Sequence, residues 1–131
     1  MSTSGAALLD LLDTWLAAWN AHDLDGVMAP MHNDVVFENW NGATVRGKRA
    51  LRRAWTPWFR NHGDFCFTAE DVLLDETAQK MSFRWSLEWP SPEQGRRGQR
   101  EIRRGVDTLH FVDGQIREKH SYSKTTTRIA D

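Results

Sequence analysis

The chain has 131 residues, 40% of them hydrophobic, 11% aromatic and 27% charged, which describes one compact soluble domain able to bury a core without a disulfide or a structural metal. Its 17 Lys and Arg against 18 Asp and Glu leave a formal charge of -1, and that balance argues against a dedicated nucleic-acid binder. A single cysteine, Cys66, excludes an intrachain disulfide framework, and Asp10 and Asp13 interrupt the leucines of the N-terminal stretch, so neither signal peptide nor membrane span is read there and a cytoplasmic protein is expected.

Leu8, Leu12, Trp15 and Trp19 recur at helical spacing and predict a helix over about residues 4–20. Asp23 is a good N-cap for a short second helix with the stripe Leu24, Val27, Met28 and Met31, ended by Pro30 and His32-Asn33. The β-branched and aromatic run at 34–39 reads as a strand, and Asn41-Gly42 marks the turn after it. A third helix is expected over about 47–62, with Leu51, Ala54, Trp55, Trp58 and Phe59 inward, its basic residues outward, and Pro57 kinking or shortening it.

Beyond Gly63 the apolar period becomes two, and strands are expected over 65–74, 80–89, 100–111 and 115–126. Met81, Phe83, Trp85, Leu87 and Trp89 alternate with Ser82, Arg84, Ser86 and Glu88, so one face of that strand is buried and the other is wet. Cys66 alternates with Phe65 and Phe67 and is expected to be packed. Helices first and strands afterwards predict an α+β fold, a curved antiparallel sheet wrapped round N-terminal helices.

Period two puts Asp107 on the face it shares with Gly105, Leu109 and Phe111. A carboxyl group among apolar side chains must be paired, hydrogen-bonded or protonated, which makes Asp107 the leading site residue; the structural alternative is a backbone cap or a pair with a buried arginine such as Arg103. Asn39 shares a strand face with Phe37 and can orient a water or a carbonyl oxygen, or simply serve the adjoining turn. Glu38 is the more obvious base by chemistry but points to the opposite face. On the last strand, Ile116, Glu118, His120 and Tyr122 share one face and Arg117, Lys119, Ser121 and Ser123 the other, and neither set declares itself inward. The histidines lack ligand spacing, so no metal is expected, and neither a phosphate-binding loop nor a nucleophile elbow is present.

Trp15-Leu-Ala-Ala-Trp-Asn-Ala-His-Asp-Leu-Asp-Gly26, Asp34-Val-Val-Phe-Glu-Asn39, Arg46-Gly-Lys-Arg-Ala-Leu51, Asp107 to Phe111 and Asp113-Gly-Gln-Ile116 together resemble the SnoaL-like branch of the nuclear transport factor 2-like superfamily. That branch lies among ketosteroid isomerases, limonene epoxide hydrolases and polyketide cyclases. The resemblance covers nearly the whole chain and implies a single domain over 1–131: an α+β cone with a pocket at its open end and, usually, a homodimer through the outer sheet face. It also places Asp107 at the isomerase's oxyanion-hole acid. The isomerase's base falls at Asn39 and its tyrosine at Trp15, so that chemistry is expected to be absent. Against the epoxide hydrolase, Asn39 and Asp107 match, but the arginine two before the acid is Gly105 and the last-strand acid is Ser121. In the isomerase register Lys119, Ser121 and Ser123 face the pocket.

The expected function is therefore a hydrophobic pocket for a small apolar or carbonyl-containing molecule, with isomerase, cyclase or hydrolase chemistry. Asp107 is its acid, Asn39 orients substrate or water, and Glu38 and His120 are the candidate bases. Trp15, Trp19, Phe37, Trp55, Trp58, Phe83, Trp85, Leu109 and Ser121 are the expected substrate contacts. No cofactor, nucleic acid or membrane is expected as a partner. The alternatives are a non-catalytic small-ligand-binding protein and a dimeric interaction scaffold of the same fold.

Overall fold

The N-terminal apolar stripe becomes α1 (Gly5–Asn20) in a computed structural model that describes residues 2–61, 63–124 and 127–128. Ser4 caps the helix by accepting the Ala7 N–H at 3.2 Å, and Leu8, Leu12, Trp15 and Trp19 form its buried face. Asp23 caps α2 (Leu24–Met28) through the Gly26 N–H. The expected stripe runs on to Met31, but Pro30 has no N–H with which to continue a helical ladder. Met31 instead opens β1 (Met31–Glu38), which also takes up His32 and Asn33, and its side chain is fully buried in the core.

The turn at Asn41-Gly42 leads into an unexpected short strand, β2 (Thr44–Arg46), that pairs with the end of β1. Gly42 takes a φ of 84°, a left-handed turn conformation that suits glycine. α3 (Lys48–Asn61) runs through Pro57 rather than stopping there, with Leu51 and Trp55 buried and Trp58 and Phe59 packed against the core. Ala54, expected inward, is exposed but borders the cavity described below.

The remaining strands are β3 (Cys66–Asp75), β4 (Lys80–Pro90), β5 (Arg100–Val112), β6 (Gln115–Ser123) and β7 (Thr127–Arg128). The sheet order is β2-β1-β6-β5-β4-β3, and β7 pairs with the start of β5 beyond the end of β6. Neighbours are antiparallel except β1 and β6, which run parallel, a long-range pairing that no local pattern announces. The last expected strand ends at Ser123, and residues 125 and 126 of that expectation lie outside the described residues. Cys66 is exposed, since alternation sends the buried Phe65 inward and the cysteine outward.

Alternation on β4 is complete: Met81, Phe83, Trp85, Leu87 and Trp89 are buried, and they join Met31, Val35 and Phe37 of β1 and Leu109, Phe111 and Ile116 in the core. β6 breaks the rule. Phe111 pairs with Ile116 and His110 with Glu118, so Arg117 is an extra residue on β6, a β-bulge. The bulge turns the parity over, and both Ile116 and Lys119 point inward. Among the described residues, no helix is long and apolar enough to cross a membrane.

Candidate active site

A cavity of about 440 Å³ opens between α1, α3 and the inner face of the sheet. Its walls are mostly apolar, and aromatic rings are prominent in them: Trp15, Trp19, Phe37, Trp55, Trp58, Phe67, Phe83 and Trp85. Many of these rings brace one another edge to face, as Trp19 does against Trp55 and Phe37 against Trp55, with centroids 5.0 and 5.3 Å apart. Trp15 is tied down by its Nε1–H, which donates to the Val27 carbonyl at 3.0 Å. Among the described residues of the lining, the charged ones are Arg103, Asp107 and Lys119.

Asp107 lies at the centre of this wall, with its side chain 8% exposed, and both of its oxygens are held. The Trp85 Nε1–H donates to Oδ1 at 2.9 Å, and Lys119 Nζ lies 3.0 Å from Oδ2. Lys119 also donates to Ser121 Oγ at 2.6 Å and sits 4.6 Å from the Phe37 ring centroid. The β5–β6 register explains the pair. Asp107 stands opposite Ser121, which places Lys119 diagonally across from it on the same face. Thus the carboxyl group's cation comes from the neighbouring strand, and the role expected of Arg103 falls to Lys119.

Gly105 makes the Trp85 contact available. Trp85 pairs with Gly105 across β4 and β5, and a Cβ on that glycine would stand 2.4 Å from the Trp85 ring and 2.2 Å from the Tyr122 carbonyl oxygen. The missing side chain lets the indole lie over β5 and reach the carboxyl group two residues further along.

Of the other expected residues, Trp15, Trp19, Phe37, Trp55, Trp58, Phe83, Trp85 and Ser121 border the cavity, and so does Asn39. Asn39 also serves its turn, with its Oδ1 accepting the Trp40 N–H at 2.9 Å. Glu38, His120 and Leu109 do not border it. Leu109 is buried in the core, and His120 stands on the opposite face of the sheet, 3.8 Å from Glu38 Oε1 and 3.9 Å from Glu118 Oε1. Neither candidate base therefore reaches the cavity. Lys119 is the contact that residue patterns missed; only the family register pointed it inward. Among the described residues, no group of three or more His, Cys, Asp or Glu is placed to hold a metal ion.

Comparison with known proteins agrees with this architecture. A profile of the SnoaL-like domain matches residues 12–119. No curated protein matches the chain in sequence. Solved structures do. The epoxide hydrolase/cyclase-like enzyme SalBIII, of pyran ring formation in the polyether salinomycin, superposes with a TM-score of 0.79 at 11% identity over 93% of this chain and 95% of its own. RV0760c from Mycobacterium tuberculosis, in complex with estradiol-17beta-hemisuccinate, gives 0.73 at 21% identity over 93% of this chain and 94% of its own. A computationally designed 17-OHP binder gives 0.77 at 20% identity, covering 94% and 97%. At these identities the likeness is one of fold.

Proposed function

The chain belongs to the SnoaL-like domain family of the nuclear transport factor 2-like superfamily, and from that premise we propose that residues 1–131 form one domain that binds a small, largely apolar carbonyl compound and moves a proton on it. One observation carries the reading: an Asp107–Lys119 pair at 3.0 Å, shielded from water, in a cavity whose walls are otherwise mostly apolar and rich in aromatic rings. Apolar walls supply affinity, and a few fixed polar groups supply orientation.

The pairing rearranges the roles expected of the residues. As the partner of an ammonium group, Asp107 is a carboxylate and accepts a proton, while Lys119 and the Ser121 hydroxyl supply hydrogens to the carbonyl oxygen. The Asp107 oxygen takes the proton from the carbon beside the carbonyl, and the oxygen of the resulting enolate is stabilised by Lys119. Return of the proton to another carbon completes an isomerisation; attack of the enolate carbon on a second carbonyl of the same molecule breaks that C=O π bond, and return of the proton from Asp107 to the alkoxide so formed completes a cyclisation. The chemistry then needs neither Glu38 nor His120.

The test is exchange of α-hydrogens for solvent deuterium, followed by NMR on ketones such as 2-tetralone. The wild-type chain is expected to accelerate exchange, and Asp107→Asn to lower that acceleration by roughly 10²- to 10⁴-fold. A panel of ring ketones that bind yet exchange only at the background rate would overturn the catalytic part. A binding-only reading has one observation in its favour: both Asp107 oxygens already have partners. It predicts that outcome, with binding retained in Asp107→Asn. The homodimer implied by the family remains part of the proposal, and sedimentation equilibrium decides it.

A further inference from the structure

Arg103 lies on β5, four residues before Asp107 and on the same face, which sets the two about 13 Å apart along the strand. The ends of this line differ in their access to water. At the Asp107 end are Trp15, Phe83 and Lys119, all buried; at the Arg103 end are Trp40, 57% exposed, and the half-buried Trp58 and Ser123. Arg103 therefore marks the mouth of the cavity, and Asp107 its interior.

The guanidinium group is held between indoles. Its Cζ lies 5.1 Å from the Trp89 ring centroid and 5.9 Å from that of Trp40, and Trp89 is stacked in turn on Trp58 at 5.0 Å. Rings over a guanidinium cover its π faces and leave its N–H edge for hydrogen bonding, and that edge matches a carboxylate with two parallel bonds. Arg103 has other contacts, but five donors give it capacity for an anion as well. Between Arg103 and Asp107 the only residue on this face is Gly105, and the Trp85 indole covers it. The floor between mouth and interior is consequently flat and aromatic. Among the described residues of the lining the charged ones are Arg103, Asp107 and Lys119, and Asp107 is engaged by Lys119. Glu101, the next inward residue of β5, is buried and does not border the cavity.

We propose that Arg103 forms a carboxylate subsite at the mouth, so that the ligand is a flat ring acid with its oxygen function at Asp107 and Lys119 and its carboxylate about 13 Å away, near the end of the ring system. The subsite rests on the cavity reading above and narrows it to a substrate class, the ring-containing organic anions.

Two probes of nearly equal shape separate the ideas: 4′-hydroxybiphenyl-4-carboxylate and neutral 4-hydroxybiphenyl, each titrated into the full chain at neutral pH with tryptophan fluorescence as the readout. The acid is expected to bind about tenfold more tightly. Arg103→Met is expected to bring the acid's affinity down to that of the neutral phenol measured on the same variant, and Arg103→Lys to restore only part of the preference. Added salt weakens the acid alone. Equal affinities in the wild type, or a preference that survives Arg103→Met, would overturn the subsite while leaving the apolar cavity intact. Failure of both probes to bind would overturn the cavity reading itself. Should Arg103→Met fail to fold by circular dichroism, the lysine variant and the salt dependence still decide the matter.

Discussion

Strands β5 and β6 carry charges on both faces, and the two faces use them differently. On the concave face Asp107 and Lys119 meet at 3.0 Å with their side chains 8% and 9% exposed. On the convex face His110 lies 3.2 Å from Glu118, and His120 is close to Glu38 and Glu118, with side chains between 31% and 44% exposed. Glu118, Lys119 and His120 are consecutive in sequence, yet they are divided between the two faces. What separates them is water: outside, solvent screens each charge and makes the pairing weak, whereas inside each charge depends on its partner. The proposed chemistry follows the same division, because a positioned charge acts on a bound molecule most strongly where water is excluded.

The sharpest way to break this contrast is Lys119→Met. It leaves the Asp107 carboxyl group in an apolar wall without its cation, and the expected loss of stability is about 3–5 kcal/mol. Urea denaturation at neutral pH measures it. The double variant Lys119→Met with Asp107→Leu, which removes both charges, is expected to recover most of that loss; a double variant as unstable as the single one would contradict the account.

Gly105→Ala attacks the same site through shape. A Cβ there would run into the Tyr122 carbonyl and the Trp85 ring, at a cost of about 1–3 kcal/mol, and would push Trp85 off Asp107. A shift in tryptophan emission together with a lower denaturation midpoint is the expected signature. Glu118→Gln, on the convex face, removes the carboxylate beside both histidines and should change stability by no more than about 0.5 kcal/mol. A loss as large as that of Lys119→Met would mean that the two faces are not so different after all.

Much of this arrangement was legible in residue order. Met81 to Trp89 alternate cleanly because β4 has one face in the core and one outside it, and the same logic directed Asp107 inward beside Leu109 and Phe111. The aromatic lining was legible for a related reason: large rings at helical or strand spacing have few places to go besides the interior. β6 was not legible in this way. Its bulge at Arg117 points Ile116 and Lys119 to the same side, and no period-two reading of Ile116 to Ser123 can produce that. Met31 was assigned to the wrong element because its apolar side chain satisfies a helix stripe and a buried strand end equally well.

Residue order by itself determined the class of fold, the buried faces of β4 and β5, and the presence of one carboxyl group among apolar neighbours. These depend on local periodicity, and a period is a property of neighbouring residues. The tertiary structure decided which cation Asp107 meets, that Glu38 and His120 stand away from the cavity, and that β1 runs beside β6. Those outcomes depend on which distant strands pair and in what register, and a single extra residue in one strand is enough to exchange its inner and outer faces.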